Sequence, residues 1–303
     1  MKWGIALNVK DTISQTIDKA LIADEGGIDQ VWITDFPALR YAPTVAAVIA
    51  EKTRNCRIGV GLVSPLLYSS SHIVQFMTTL IESHGNRFDL LLGPGDRFWL
   101  ERIGIAQTPK EIVEKNKVAL REVKSGLLKL GHECRVLVGA QGPKMIEISH
   151  YADGVLLNYS DLEMASWAAD QLRDNIGEDF QLGLFPPAFI GPCDRFSNNL
   201  AISNSAAMVA IGLSRTVANL FDLSSSLKDA RTLFKERGKI DNEVVAAISD
   251  DVLKRFAFCG THEQLQEYTK ELEKIGFTNV IFGPPIGMSK KGVENLISAK
   301  TSN

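Results

Sequence analysis

Short apolar runs rich in β-branched residues alternate along this chain with longer stretches in which apolar side chains recur at helical spacing. The runs at 2–8, 29–35, 57–63, 88–93, 135–139, 154–158, 180–185 and 278–283 read as strands, and helical patterns fill most of the intervals. Parallel strands need a crossover long enough to hold a helix, so this alternation predicts parallel βα units. Eight such strands predict a closed (β/α)8 TIM barrel.

Helix starts support the count. Thr108-Pro109-Lys110-Glu111 places a capping Thr before a first-turn Pro, with Glu at the third helical position. Ser160-Asp161-Leu162-Glu163 and Thr261-His262-Glu263-Gln264 fit the capping box, in which a hydroxyl and an acidic or amide side chain satisfy free N–H groups reciprocally. One connection breaks the rhythm. Between the seventh strand and the helical run 263–275 the spacing far exceeds an ordinary loop, and 199–220, 227–237 and 242–255 read as helices. The expectation is one domain, 1–303, carrying a helical insertion, 192–260, between strand 7 and helix 7.

Apolar content of 45% with 23% charged residues suits a protein with a large core. A net charge of −3 without a dense basic block argues against nucleic acid as partner and for a small molecule. Neither a basic leader nor an apolar stretch of membrane-spanning length is visible, so a cytoplasmic enzyme without membrane attachment is expected. Cys56, Cys134, Cys193 and Cys259 lie far apart with no metal-ligand spacing, and they read as reduced structural thiols.

In a barrel, chemistry gathers at the C-terminal ends of the strands. Asp35 closes the second strand and Asp96 follows the fourth, so both carboxylates can reach one mouth; either can equally cap a local helix. Gly93-Pro94-Gly95 removes side chains at a strand end where a flat ligand could approach, and Gly59-Val60-Gly61 puts glycines inside a strand, which serves a bulge or a close ligand contact alike. Gly139-Ala140-Gln141-Gly142-Pro143 leaves backbone amides at a helix start, an arrangement that suits phosphate or carboxylate, with Lys144 beside it. Asn158 and Ser160 close the sixth strand, and Ser160 also suits a cap. His72 reads as a rim residue, and there is no nucleophile elbow, phosphate-binding loop or triad. Many backbone donors and few nucleophiles fit a site where a cofactor performs the chemistry.

In order along the chain, Trp32-Ile33-Thr34-Asp35, Gly61-Leu62-Val63-Ser64-Pro65, Gly93-Pro94-Gly95-Asp96, Gly139-Ala140-Gln141-Gly142-Pro143-Lys144-Met145, Ala152-Asp153-Gly154, Phe256-Ala257-Phe258-Cys259-Gly260-Thr261 and Gly283-Pro284-Pro285-Ile286-Gly287 carry a family likeness. The sequence resembles the luciferase-like superfamily and, within it, the coenzyme F420-dependent 5,10-methylenetetrahydromethanopterin reductases. That resemblance implies a deazaflavin ring across the barrel mouth, against a non-prolyl cis peptide mapping to Gly61-Leu62. It further implies Asp35 and Asp96 in catalysis, and Gly61, Leu62, Ser64, Gly93, Gln141, Gly142, Asn158 and Ser160 around the cofactor. A homodimer is implied as well. Two positions depart from the family pattern: Ala6 stands for a Glu and Phe36 for a His, both proton-handling residues. The leading expectation is hydride transfer between coenzyme F420 and a small or pterin-like acceptor. An FMN-dependent monooxygenase and a non-catalytic flavin-binding barrel are the alternatives.

Overall fold

A computed structural model describes residues 1–301 apart from 9, 37–38, 174–176, 194–195 and 197–198. The first half of the chain runs β1 (Lys2–Leu7), α1 (Ile13–Glu25), β2 (Gln30–Ile33), α2 (Ala42–Lys52), β3 (Arg57–Val63), α3 (Ser70–His84), β4 (Phe88–Leu92), α4 (Arg97–Arg102), α5 (Pro109–Lys129) and β5 (Arg135–Ala140). There follow α6 (Pro143–Glu147), β6 (Gly154–Leu157), α7 (Leu162–Leu172), β7 (Gln181–Leu184) and β8 (Ala188–Ile190). The insertion holds α8 (Leu200–Gly212), α9 (Arg215–Leu220), α10 (Lys228–Arg237), α11 (Asn242–Ala246) and α12 (Asp250–Lys254). The chain ends with β9 (Phe258–Gly260), α13 (His262–Ile275), β10 (Asn279–Phe282) and α14 (Lys290–Thr301).

The eight expected strands close into a parallel barrel in the order β1-β10-β7-β6-β5-β4-β3-β2. Closure falls where β1 pairs with both β10 and β2, Lys2 opposite Asn279 and Gly4 opposite Gln30. Strand side chains alternate between two environments. One set, including Ile5, Val31, Ile58, Leu90, Val136 and Val155, faces the helices and belongs to the main core. The other set points inward, where Ala6, Trp32, Leu91, Leu137, Leu156 and Ile281 form a separate buried cluster. Toward the N-terminal end the inward positions turn polar: Gln30, Asp89 and Asn279 are fully buried there. The Arg57 guanidinium forks onto Asp89 through Nε at 3.0 Å and Nη2 at 2.8 Å, which offsets the cost of burying that carboxylate.

Thr108 and Thr261 form the capping boxes read from the sequence. The box at Ser160 does not form: Asp161 is the cap of α7, accepting from Met164 N at 2.8 Å, while the Ser160 hydroxyl turns to the Lys254 carbonyl. A carboxylate one residue closer to the helix outcompetes the serine because it is a stronger acceptor at a positive helix end. A two-stranded parallel ribbon, β8 with β9, forms the neck of the insertion and was not legible, since three-residue strands carry no periodicity.

The reading of four reduced thiols is corrected at this neck. Cys193 and Cys259 form a disulfide across 66 residues of chain. Pairing of Phe189 with Cys259 brings the ends of the two short strands together, and no sequence spacing announces such a contact. Cys56 and Cys134 are free thiols, and burial pushes the Cys56 thiol up to about 12.

Candidate active site

The inward-facing positions change character at the C-terminal end of the barrel. Ala6, Trp32, Leu91, Leu137 and Leu156 are at most 2% exposed. One step further along the same faces, Asn8, Thr34, Leu62, Gly139 and Phe185 are half-buried and Asn158 is exposed. Side chains that point to the axis yet meet solvent define an open mouth, with Leu62 and Phe185 resting on the apolar cluster as its floor.

Leu62 owes its place to two glycines. A β-carbon on Gly93 would lie 2.3 Å from Leu62 Cδ1, and one on Gly139 would lie 2.6 Å from the same atom. These glycines therefore admit the leucine that floors the mouth, where at Gly93 the sequence suggested direct access for a flat ligand. The peptide between Gly61 and Leu62 is cis, at the position the resemblance implied.

Asp35 lies two residues past β2 and is 7% exposed. One oxygen, Oδ1, accepts the Ala42 N–H at 3.1 Å at the start of α2, while Oδ2 is buried without a hydrogen-bond partner. Burial raises its pKa, and the Ala42 bond and the neighbouring Tyr68 phenol oppose that rise without cancelling it. Asp96 stands in a different setting: it is exposed and caps α4 by accepting from Trp99 N at 3.1 Å. The two loops meet through Phe36 and Trp99, whose ring centroids are 6.2 Å apart. Among the described residues no hydrogen bond or ion pair joins the two carboxylates. One is buried and partly orphaned, the other exposed.

Several expected cofactor contacts are occupied by the protein itself. Ser64 donates to the Pro94 carbonyl at 2.9 Å and accepts from Leu66 N, which stitches the β3 exit to the β4 exit. Gln141 donates to the Asn158 carbonyl at 3.2 Å. Ser160 is buried, its N–H on the Arg255 carbonyl and its own carbonyl accepting from the Tyr268 phenol at 2.9 Å. Gly142 caps α6 without a capping side chain, and Met145 and Ile146 spend their N–H groups on its carbonyl. The start of α9 closes over this turn, since a β-carbon on Gly142 would sit 2.9 Å from Ser214 Oγ. Gly142, Gln141 and Asn158 thus lie together beside the mouth, and Ser64 and Ser160 brace its rim.

Sequence reasoning passed over Tyr41, Tyr68 and Trp99, which surround Asp35 and its loop with aromatic surface. Tyr68 closes the run Ser64-Pro65-Leu66-Leu67-Tyr68 after β3, so the strand-exit rule that selected Asp35 applied to it as well. An open mouth with an apolar floor, aromatic walls and one orphaned buried carboxyl oxygen fits a flat, partly apolar redox ring.

Residues 3–109 match the family described as luciferase-like monooxygenase. Over 91% of its length the chain is 29% identical to 91% of the 5,10-methylenetetrahydromethanopterin reductase of Archaeoglobus fulgidus. The coenzyme F420-dependent tetrahydromethanopterin reductase of Methanopyrus kandleri superposes with a TM-score of 0.78 at 19% identity, covering 99% of this chain and 97% of that one. An F420-dependent secondary alcohol dehydrogenase, solved with an F420-acetone adduct, superposes with a TM-score of 0.73 at 14% identity, covering 99% and 98%. The curated reductase carries the resemblance drawn from the sequence, and the solved structures share the fold over 99% of this chain.

Proposed function

We propose that this chain is an oxidoreductase that moves hydride between coenzyme F420 and a small or pterin-like acceptor bound at the C-terminal mouth. The observation that carries the reading is the open mouth itself: inward positions dry and packed up to Ala6, Trp32 and Leu156, then solvent-reachable at Asn8, Leu62, Asn158 and Phe185. The kinship with methylenetetrahydromethanopterin reductase supplies the reaction class.

When bound, the deazaflavin supplies the hydride. The protein's own share is orientation and exclusion of water, the larger part of catalysis in such sites. Leu62 and Phe185 would support the ring from below, while Phe36, Trp99, Tyr41 and Tyr68 would wall the cleft above it. Gln141, Gly142 and Asn158 would meet the cofactor tail beside the α6 turn. Asp35 would hold a proton inside the cleft, and Asp96 at the solvent rim would meet polar parts of the acceptor. Among the described residues no helix is long and apolar enough to cross a membrane. A single barrel domain with its 192–260 insertion, assembled as a cytoplasmic homodimer, completes the proposal.

The test is titration of the purified protein with coenzyme F420 and separately with FMN, followed by absorption, then turnover of the reduced deazaflavin with candidate acceptors. Saturable F420 binding and acceptor-dependent oxidation of its reduced form support the reading. Preference for FMN with oxygen consumption replaces it with a monooxygenase, and binding without any turnover replaces it with a non-catalytic barrel.

A further inference from the structure

Where the resemblance implies an acidic residue on the first strand this chain carries Ala6, which offers no proton. Ala6 is fully buried, and a β-carbon on Gly287 would lie 1.9 Å from its carbonyl oxygen, so the turn after β10 is pressed against the end of β1. Phe36, standing for a histidine, is packed on Trp99 and carries no proton. A hydride acceptor whose heteroatom must be protonated therefore needs its proton from another wall of the mouth.

That wall is the corner between the exits of β2 and β3. Asp35 Oδ1 is held by the Ala42 N–H at 3.1 Å, which leaves Oδ2 buried and without a donor. Tyr68 comes from the β3 exit loop, its N–H fixed on the Ser64 carbonyl at 3.1 Å. Its ring is set by Tyr41 at 6.1 Å between centroids and by His72 at 6.3 Å, nearly edge-on. Tyr41 at the start of α2 and Tyr68 in its loop are titratable side chains close to this carboxyl, and His72 on α3 packs against the Tyr68 ring. The Tyr68 phenol lies beside the Asp35 carboxyl and, as a donor toward it, favours the charged form, while Oδ2 has no hydrogen-bond partner.

We infer that Tyr68 and Asp35 form a proton relay, Tyr68 meeting the acceptor and Asp35 standing behind it as the store. The inference rests on the oxidoreductase reading above. In the step, the acceptor carbon takes the hydride with its electron pair, and the acceptor heteroatom takes the phenolic proton of Tyr68. The proton on Asp35 Oδ2 passes to the phenolate oxygen, and the resulting carboxylate recovers a proton from water when product leaves. Burial raises the carboxyl, and burial together with an ionised Asp35 raises the phenol, so each group favours its protonated form more than the free side chain does.

The relay is tested with Tyr68→Phe and Asp35→Asn. Titration of the coenzyme-free protein by carboxyl NMR, with Asp35 assigned through Asp35→Asn, reads the dyad directly. Tyr68→Phe removes a donor that favours the carboxylate, so the Asp35 midpoint moves to higher pH. In turnover, Tyr68→Phe lowers kcat on the order of 100-fold while KM and coenzyme affinity stay within about threefold. An unmoved Asp35 midpoint in Tyr68→Phe, or an unchanged kcat, overturns the relay. Failure of the protein to bind any deazaflavin overturns the functional reading instead, and the coenzyme-free titration separates the two.

Discussion

Arg255 holds Asp161 through two nitrogens at once, Nε at 2.8 Å and Nη2 at 3.0 Å. The pair joins the last turn of the insertion to the cap of α7. Arg255 Nη2 reaches Glu163 at 2.7 Å as well, its guanidinium lies 5.4 Å from the Phe221 ring centroid, and its carbonyl accepts the Ser160 N–H. One residue thereby docks the helical excursion against the β6 exit, next to the β5 exit where Gly142 meets Ser214.

Arg255→Ala is expected to destabilise the protein by about 2 kcal/mol, since it strips a partly buried cap carboxylate of a bidentate partner. Arg255→Lys recovers only part of that loss, because an ammonium is a point donor and does not match the fork. Urea midpoints of the two variants check the order; equal losses contradict it.

Gly93→Ala is expected to cost about 1–3 kcal/mol, because the new methyl occupies the place of Leu62 Cδ1. Leu62→Ala opens that space, so in a double-mutant cycle the two losses combine to less than their sum. Additive losses show that the leucine yields freely and that the glycine serves another purpose.

Reduction of the Cys193–Cys259 bridge frees a long loop of chain. Chain-entropy arguments put the loss at up to about 4 kcal/mol for a loop of this size, visible as a lower Tm in dithiothreitol. Alkylation of the native reduced protein marks Cys193 and Cys259 quickly, whereas buried Cys56 and half-buried Cys134, whose thiols are raised by desolvation, react slowly. Mass spectrometry of the labelled peptides decides; four equally reactive thiols contradict the placement.

Two buried aspartates give opposite pH signatures. Burial pushes the Asp24 carboxyl up, yet N–H groups of Arg54, Asn55 and Cys56 converge on it and hold its pKa below the ordinary value. Its stabilising contribution is therefore complete above the unfolded carboxylate value of about 3.9 and is lost as pH falls through the folded one. Asp35 is raised by burial, so its contribution is complete below the unfolded value and is lost as pH rises through the folded one. At about pH 7, Asp24→Asn should be less stable than the parent and Asp35→Asn more stable while impaired in turnover. Urea midpoints measured from acid to neutral pH test both signs.

The barrel was legible because each strand carries its own apolar run and each helix its own start signal; Thr108 and Thr261 cap where the sequence puts them. Leu62 was singled out by the resemblance alone, Gly142 by the helix start after β5 and Asp35 by the strand-exit rule. Tyr68 obeyed that rule and was passed over, because a tyrosine among loop residues looks like packing until the carboxyl beside it is known.

Local pattern by itself determined the eight strands, their crossover helices and which ends face the mouth, because these depend on residues near one another in the chain. Only the tertiary structure decided that Gly93 and Gly139 make way for Leu62, that Ser160 answers to Lys254, and that Cys193 meets Cys259. Those outcomes depend on distances between side chains that lie tens of residues apart, and short-range periodicity holds no information about such distances.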